Sequence, residues 1–340
     1  MPTIADVARR AGVSIATVSR VLSPSPEPHP VRSTTAERVR AAAHELNFVP
    51  SPLASGLAAG RTGLIGLVVP DLTDPHYPQI ASGVEDAARS AGLAVLICNT
   101  LGDAERLADY VRLLHARRVD AIVLSGGTRL GADELAAVSA ANMPVVLIGR
   151  PIRGVRLPWV GIDNLSAARR ATEHLIALGR RHVMHLGGPA SQTTMTDRAN
   201  GYRAAMRDAH LPPDVLRTSG TPEQAYERLY RRLTRSELGP NAIFAAADRL
   251  AVAALAAVAD AGLDVPRDVA IVGVDDIPVA AHLRPSLSSV AQPARQLGEI
   301  AIDMARRLLS GERVKPIQLE ADLVVRQSST VLSSRGRPQE

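Results

Sequence analysis

The side chains of this sequence best placed to do chemistry are polar residues that stand where apolar, strand-like runs end. His76 and Tyr77 follow the first run, in "PDLTDPHYP", and Asp163 and Asn164 lie in "VGIDN". Arg198 lies in "TMTDRANGY", Asp248 follows "AIFAAA", and Asp275 and Asp276 follow "VAIVGV". An arginine set opposite carboxylates suits a polyhydroxylated ligand, because each group can engage neighbouring hydroxyls in pairs. Thr194 and Gln192, in the Gly-Pro loop "GGPASQTT", are further polar partners. Two of the carboxylates have a second reading. Asp163 can cap a helix through "ARRATEHL", and Asp248 one starting at "RLAVAAL".

Catalysis lacks its usual signatures. No G-x-G-x-x-G follows the first strand-like run, and no phosphate-binding loop lysine exists, since Lys315 is the only lysine. The histidines are scattered without metal-ligand spacing. His182 and His185 lie three apart on one expected strand, and so on opposite faces. "HLGGP" is a glycine turn without the phosphate pattern, and no nucleophile stands beside a base. Cys98, the single cysteine, sits in the apolar run "LAVLICN", where it reads as a buried structural thiol. The sequence therefore reads as that of a binding protein, not an enzyme, with no cofactor.

The elements that must carry these residues alternate in type. "GLIGLVV", "LAVLIC", "VDAIVLS" and "MPVVLIG" are strand-like, as are "HVMHLGG", "AIFAAA" and "VAIVGVDD". Helical patterns such as "QIASGVEDAARSAG", "ARRATEHLIALG" and "DRLAVAALAAVADAG" fall between them. Alternation of this kind predicts parallel sheets with helices on both faces. Ligands in such folds bind at the carboxyl ends of the strands.

The first fifty residues differ in kind. "MPTIADVARRAGVSIATVSRVL" reads as two short helices around a tight turn. Thr3 caps the first, with Asp6 in its first turn; Ile4, Val7 and Ala8 make its inner stripe, and Gly12 ends it in the left-handed conformation. Val13 pins the turn, Ser14 caps the second helix, and Val18, Val21 and Leu22 face inward. Ile15, Ala16, Ser19 and Arg20 are left pointing outward. A third helix is expected at "TTAERVRAAAHEL", where Thr34 and Glu37 have capping-box spacing and Val39, Ala42, Ala43 and Leu46 form the apolar side. The proline-rich "SPSPEPHPVRS" before it is expected to be extended. Three short helices so spaced match a helix-turn-helix module.

"TIADVARRAGVSIATVSRVL", followed by "NFVPSPLASGLAAGRTGLIGLVVPDLTDPHY", resembles the lactose-repressor family of bacterial transcription regulators, and the resemblance runs to about residue 330. It implies a second helix lying in the DNA major groove, with Ile15, Ala16 and Arg20 reading bases and Ser14, Thr17 and Ser19 on phosphates. Alanine and isoleucine pack on thymine methyls, while arginine can grip guanine O6 and N7 bidentately. It also implies a hinge helix started by Ser51 and Pro52, whose Leu57 wedges into the minor groove. Ser55 and Ala58 stand where many members carry basic residues, and Gly56 weakens so short a helix by about 1 kcal/mol. This hinge is therefore expected to fold only on the operator.

The implied organisation is an all-α helix-turn-helix domain over residues 1–50, a hinge over 51–62 and an effector-binding and dimerisation body over 63–330. The body would be α/β and similar to periplasmic binding proteins, with two doubly wound parallel-sheet subdomains, 63–160 plus 292–319 and 161–291 plus 320–330. A disordered tail is expected over 331–340. The resemblance further places Arg198 and Asp275 on the effector, with an aromatic near Tyr77 packed against it. Gln192 and Gly220 stand near where purine-binding members place base contacts, so a sugar or related polyol is favoured. The implied partners are a pseudo-palindromic double-stranded operator, a carbohydrate effector and a second copy of the chain. "EDAARSAG" and "LADYVRLLHARR" are candidate dimer helices, and the tail lacks the leucine heptads of a tetramer.

Composition is compatible with this. The 340 residues are 46% hydrophobic with 2% aromatics, so the cores must be built of Ala, Val, Leu and Ile. The net charge of +5 comes almost wholly from arginine and is too small to name a partner by itself. The amino terminus lacks the apolar stretch of a signal peptide, and no run approaches the length of a membrane helix. A cytoplasmic protein is the expectation.

Overall fold

The computed structural model describes residues 2–22, 31–48, 61–126, 143–149, 156–235 and 239–330. The expected hinge residues through Gly60, Leu57 among them, lie outside the described residues, as do most of the proline-rich loop and the tail.

The amino-terminal unit contains α1 (Ile4–Ala11), α2 (Ile15–Leu22) and α3 (Ser33–Glu45). Thr3 and Asp6 form a reciprocal capping box at the start of α1. Gly12 ends the helix at φ 65°, a conformation glycine adopts without a Cβ penalty. Ser14 Oγ accepts from Thr17 N at 3.2 Å and so starts α2. The core is small: Val7, Ala8, Ala11, Val18, Val39, Ala42 and Ala43 are buried, with Ile4, Val13, Val21, Leu22 and Leu46 packed against them. Arg38 on α3 donates to the Ala11 carbonyl at 2.6 Å, which satisfies an orphan acceptor at the end of α1. The Thr34–Glu37 capping box does not form. The helix begins two residues earlier than that box requires, at Ser33, and its cap position, Arg32, makes no side-chain capping bond.

The larger unit holds two six-stranded sheets. Sheet one has the order β11-β5-β4-β3-β1-β2, built from β1 (Leu64–Val69), β2 (Ala94–Asn99), β3 (Ala121–Ser125), β4 (Val145–Ile148), β5 (Trp159–Ile162) and β11 (Ile317–Leu319). Sheet two has the order β12-β10-β9-β8-β6-β7. Its strands are β6 (Val183–Gly187), β7 (Asp214–Arg217), β8 (Ala242–Ala245), β9 (Ala270–Asp275), β10 (Ser288–Ala291) and β12 (Leu323–Val324). β3 pairs in parallel with β1 and β4, and β8 with β6 and β9. One edge departs from the expected all-parallel pattern, because β12 runs antiparallel to β10. In both sheets the strand order reverses beside the first strand, between β1 and β3 and between β6 and β8. Chains diverge there, and a crevice opens at the strand ends.

Helices α4 (His76–Ser90), α5 (Ala104–Ala116) and α10 (Ala294–Leu309) serve sheet one. Helices α6 (Asn164–Ala177), α7 (Thr193–Asp208), α8 (Pro222–Arg235) and α9 (Asp248–Asp260) serve sheet two. Alternate residues of β6 illustrate the layering. Met184 and Leu186 join Leu229 and Leu250 in one core, while Val183 joins Leu175, Tyr202 and Phe244 in the other. Cys98 is buried, and burial raises its thiol pKa, as a structural thiol requires. The chain passes between the sheets three times, after β5, after β10 and after β11.

Small residues let the helices approach closely. A Cβ on Gly201 of α7 would stand 2.1 Å from the Leu165 carbonyl of α6, and one on Gly298 of α10 would stand 2.4 Å from the Ile80 carbonyl of α4. Gly201→Ala must therefore push α7 off α6. We expect it to lower stability by roughly 1–3 kcal/mol, the usual cost of overpacking, read from the midpoint of a denaturant melt at unchanged slope.

Candidate effector cleft and DNA-reading helix

The ends of the two sheets face each other across a cavity of about 670 Å³. Lobe one, the layers built on sheet one, contributes Asp74, His76 and Tyr77 after β1, Ser125 at the end of β3 and Ile148 at the end of β4; lobe two is built on sheet two. Lobe two contributes Asn164 at the start of α6, Gln192, Thr194 and Arg198 after β6, Arg249 after β8, Asp275 at the end of β9 and Gln292 after β10.

Arg198 is the most constrained of these. It lies in the second turn of α7, not at a strand end, and its side chain is 5% exposed. Its Nε donates to Asn164 Oδ1 at 2.8 Å, and Nη1 donates to the Ala246 carbonyl. Nη1 also stands 3.6 Å from Asp275 Oδ1. The described hydrogen bonds use two of the five guanidinium donors, so others remain for a ligand. The close crossing at Gly201 sets the distance from α7 to Asn164.

Asp275 ends β9 at φ 124°, outside the regions side chains normally occupy, and Asp276 follows at φ 53°. This bend turns the Asp275 carboxylate into the cavity, where it accepts from Gln292 Nε2 at 2.5 Å. Strain of this kind costs about 1–3 kcal/mol and persists only where neighbours over-determine it. Asp248 supplies that restraint. It is fully buried; its Oδ2 accepts from Ile277 N at 2.9 Å and its Oδ1 from Ser289 Oγ at 2.6 Å. Ser289 Oγ in turn accepts from Asp276 N at 3.0 Å. Gly273 leaves the room, since a Cβ there would stand 2.1 Å from Asp248 Oδ1.

Two expected contact residues are therefore off the cavity wall. Asp248 lies beneath it, holding the backbone behind Asp275. Asp163 caps α6, with Oδ1 accepting from Ser166 N at 3.0 Å and Oδ2 from Ser166 Oγ at 2.7 Å. Asp276 pairs with Arg326 at 2.6 Å. His76, Tyr77, Thr194, Arg198 and Asp275 are on the wall together with Asn164 and Gln192. Sequence alone does not single out Asp74, Ser125, Arg249 or Gln292. Asp74 precedes Pro75 and reads as part of a turn, and Arg249 reads as an ordinary first-turn helix residue. His182 sits just before β6 and bonds Asp214 at 3.1 Å, while His185 is buried on the strand.

Asp74 and Arg249 face each other across the cleft. Arg249 Nε is 3.4 Å from Asp74 Oδ2, and Nη1 is 3.8 Å from Asp71 Oδ2. Burial raises the Asp74 pKa, the Asp275 charge raises it further, and Arg249 opposes both. Asp248 is pushed up to about 7 by burial and then by Asp275. His76 Nδ1 and Ser125 Oγ are buried without a hydrogen-bond partner among the described residues. The wall thus offers paired charges, uncommitted donors and three unsatisfied polar atoms, Arg249 Nε being the third.

In the amino-terminal unit α2 turns Ile15, Ala16, Ser19 and Arg20 to solvent, with Ile15 51% exposed. Ser14 is exposed at its start and Thr17 is half-buried, their hydroxyls 2.9 Å apart. Among the described residues, Arg20 Nε reaches only the Ala16 carbonyl, at 3.4 Å.

Residues 3–51 match the family model described as "Bacterial regulatory proteins, lacI family", and residues 172–329 match a periplasmic binding protein-like domain. The HTH-type transcriptional regulator DegA of Bacillus subtilis is 33% identical over 98% of this chain and 99% of its own length. The chain belongs to the lacI family. Among solved structures, the lac repressor dimer bound to operator and the anti-inducer ONPF is 28% identical, with a TM-score of 0.87, covering 97% of this chain and 99% of that one. The transcriptional regulator CelR–cellobiose complex is 31% identical, with a TM-score of 0.72, covering 96% and 100%. This lacI-family chain is a sequence-specific DNA-binding regulator and not an enzyme. Among the described residues, no helix is long and apolar enough to cross a membrane.

The raised Asp248 pKa gives a pH signature. Between about pH 4 and pH 7 the folded state keeps a proton that the unfolded state, with the ordinary carboxyl value of 3.8, has released. Stability from this group is full below pH 4 and is lost as pH rises through 7. Asp248→Asn should therefore gain on the native protein across that window, by about 1.4 kcal/mol or more, and hold the gain above it. Paired denaturant melts from pH 4 to pH 8 check this; a constant difference would assign Asp248 an unshifted pKa.

Proposed function

We propose that this regulator is a dimeric repressor whose DNA binding is set by a sugar or related polyol held between the two lobes. The observation that carries the reading is Arg198 beside Asp275: both are almost fully buried, yet both face a cavity. A guanidinium and a carboxylate side by side match adjacent hydroxyls, which donate to one and accept from the other. Asn164, Gln192, Thr194 and Gln292 add neutral partners, and Tyr77 adds an apolar face. Cellobiose, the sugar in the similar CelR complex, is a ligand of this class.

On the DNA side, Arg20 reads guanine, Ile15 and Ala16 pack on thymine methyls, and Ser14, Thr17 and Ser19 bond phosphates. Two copies would set their α2 helices in successive major grooves of a pseudo-palindromic operator, with Leu57 wedged in the minor groove between them. Leu96 and Ile97 on strand β2 and Leu113 on α5 are exposed, which supports pairing through lobe one. Effector and operator must then change each other's affinity by the same factor.

Two measurements test these assignments. A thermal-shift screen of sugars, polyols, sugar phosphates and nucleobases should give hits confined to carbohydrates and polyols. Arg198→Ala should lose those shifts, at a cost in ligand binding of about 2–3 kcal/mol. Hits from nucleobases alone would overturn the ligand class. Arg20→Ala should lose operator preference by roughly 1–3 kcal/mol while binding random DNA almost as before. Equal losses on operator and random duplex, read by fluorescence anisotropy at fixed salt, would refute base reading by Arg20.

A further inference from the structure

A second cavity, of about 380 Å³, lies in lobe two among β6, the loop after it, α7 and β7. His185 lines it. The ring is fully buried and stacked on Tyr202 and Phe244, at centroid distances of 5.2 and 5.1 Å. Its Nδ1 stands 3.1 Å from the Phe244 carbonyl. A carbonyl only accepts, so Nδ1 carries the hydrogen and Nε2 presents a bare lone pair. Burial first, and then the nearby charges of Arg203, Arg198 and Arg217, hold the imidazole pKa down to about 3 against the Phe244 hydrogen bond, so the ring is neutral. Nε2 has no hydrogen-bond partner among the described residues. An unsatisfied buried acceptor costs about 1–3 kcal/mol, so Nε2 favours an occupant that donates to it.

Gly187, also on the cavity wall, keeps the approach to that atom open, since a Cβ there would stand 3.0 Å from Nε2. Thr196, Arg203 and Arg217 complete the polar lining. Arg203 Nη1 bonds Asn200 Oδ1 at 3.1 Å, and Arg217 is exposed. No carboxylate lines the cavity among the described residues. The floor therefore wants a donor and the charged wall wants an anion. A bare anion satisfies only the second requirement, and a neutral polyol only the first.

We propose that this cavity is a second ligand site, for a small anion that also carries a hydroxyl. The hydroxyl donates to His185 Nε2, and the carboxylate or phosphate pairs with Arg203 and Arg217. The site shares Met195 with the effector cleft. Helix α7 shows Thr194 and Arg198 to the cleft and Thr196 and Arg203 to this cavity. An occupant here packs against the helix that positions Arg198.

Calorimetric titration of the full chain tests it, with D-glycerate and glycerol 3-phosphate as probes and with sulfate, which has no hydroxyl to donate, and glycerol as the single-group controls. We expect one of the two hydroxylated anions to saturate one site per chain; which one tells carboxylate from phosphate. Each control should bind weaker by about tenfold, the worth of one charge-assisted hydrogen bond. Arg217→Gln, at an exposed position, should weaken the probe by about the same factor, and Gly187→Ala should abolish binding. In ¹⁵N spectra, the Nε2 resonance of His185 should move on titration, which a merely structural histidine would not show. Arg198→Ala should leave the probe bound, which separates this site from the cleft and from the proposed effector. Absence of saturation with both probes at millimolar concentration would overturn the proposal. So would a probe affinity unchanged in Arg217→Gln but lost in Arg198→Ala.

Discussion

A guanidinium and a carboxylate removed from water must be held by something stronger than their own attraction, because desolvation costs several kcal/mol per ion. Arg198 and Asp275 are such a pair, and much of the carboxy-terminal lobe is arranged around them. Asn164 and the Ala246 carbonyl fix the arginine. Gln292 and the bend at Asp275 fix the carboxylate. The bend in turn rests on Asp248, which is itself buried and tied to Ile277 and Ser289. Two glycines make room for these contacts, Gly201 under α7 and Gly273 beneath Asp248. The effector wall is thus continuous with the packing of the lobe.

Low aromatic content shapes how this packing is reached. With few large rings to fill space, the layers close through alanine, valine and glycine. α9 buries five alanines or valines along one side: Ala251, Ala253, Ala254, Ala257 and Val258. The rings that are present concentrate where polar atoms need shelter. Tyr202, for example, sends its hydroxyl to the Val183 carbonyl at 2.7 Å while its ring stacks on His185.

Much of this is legible in the sequence, for identifiable reasons. Alternating apolar runs and amphipathic stretches give the layered body because period and burial follow one another. Gly12, Thr3 and Ser14 announce the helix-turn-helix because caps act within a few residues. The pairing of Arg198 with Asp275 comes through the family resemblance, since no local pattern joins residues so far apart in sequence. Asp248 is misplaced by its sequence because a carboxylate at a strand end looks the same whether it faces a ligand or a strained backbone; only Gly273 and Ser289, distant in sequence, decide. Asp163 reads both as a ligand contact and as a helix cap, and "IDNLS" already holds the capping role that the structure selects. Arg249 and Asp74 escape notice because each is ordinary alone and acquires meaning only across the gap between lobes.

The three passages between the sheets carry a mechanical consequence. Leu319 is paired beside Ile162, and Leu323 beside Val290. The third passage therefore starts beside the first, at sheet one, and ends beside the second, at sheet two. Two rigid bodies joined by a row of parallel straps can fold about the line of the straps but resist shear and twist across it. An opening of the lobes about these passages would thus be close to a motion with a single degree of freedom. The Arg249 bridge to Asp71 and Asp74 joins the two lobes apart from the chain passages, as a catch joins the halves of a hinged box.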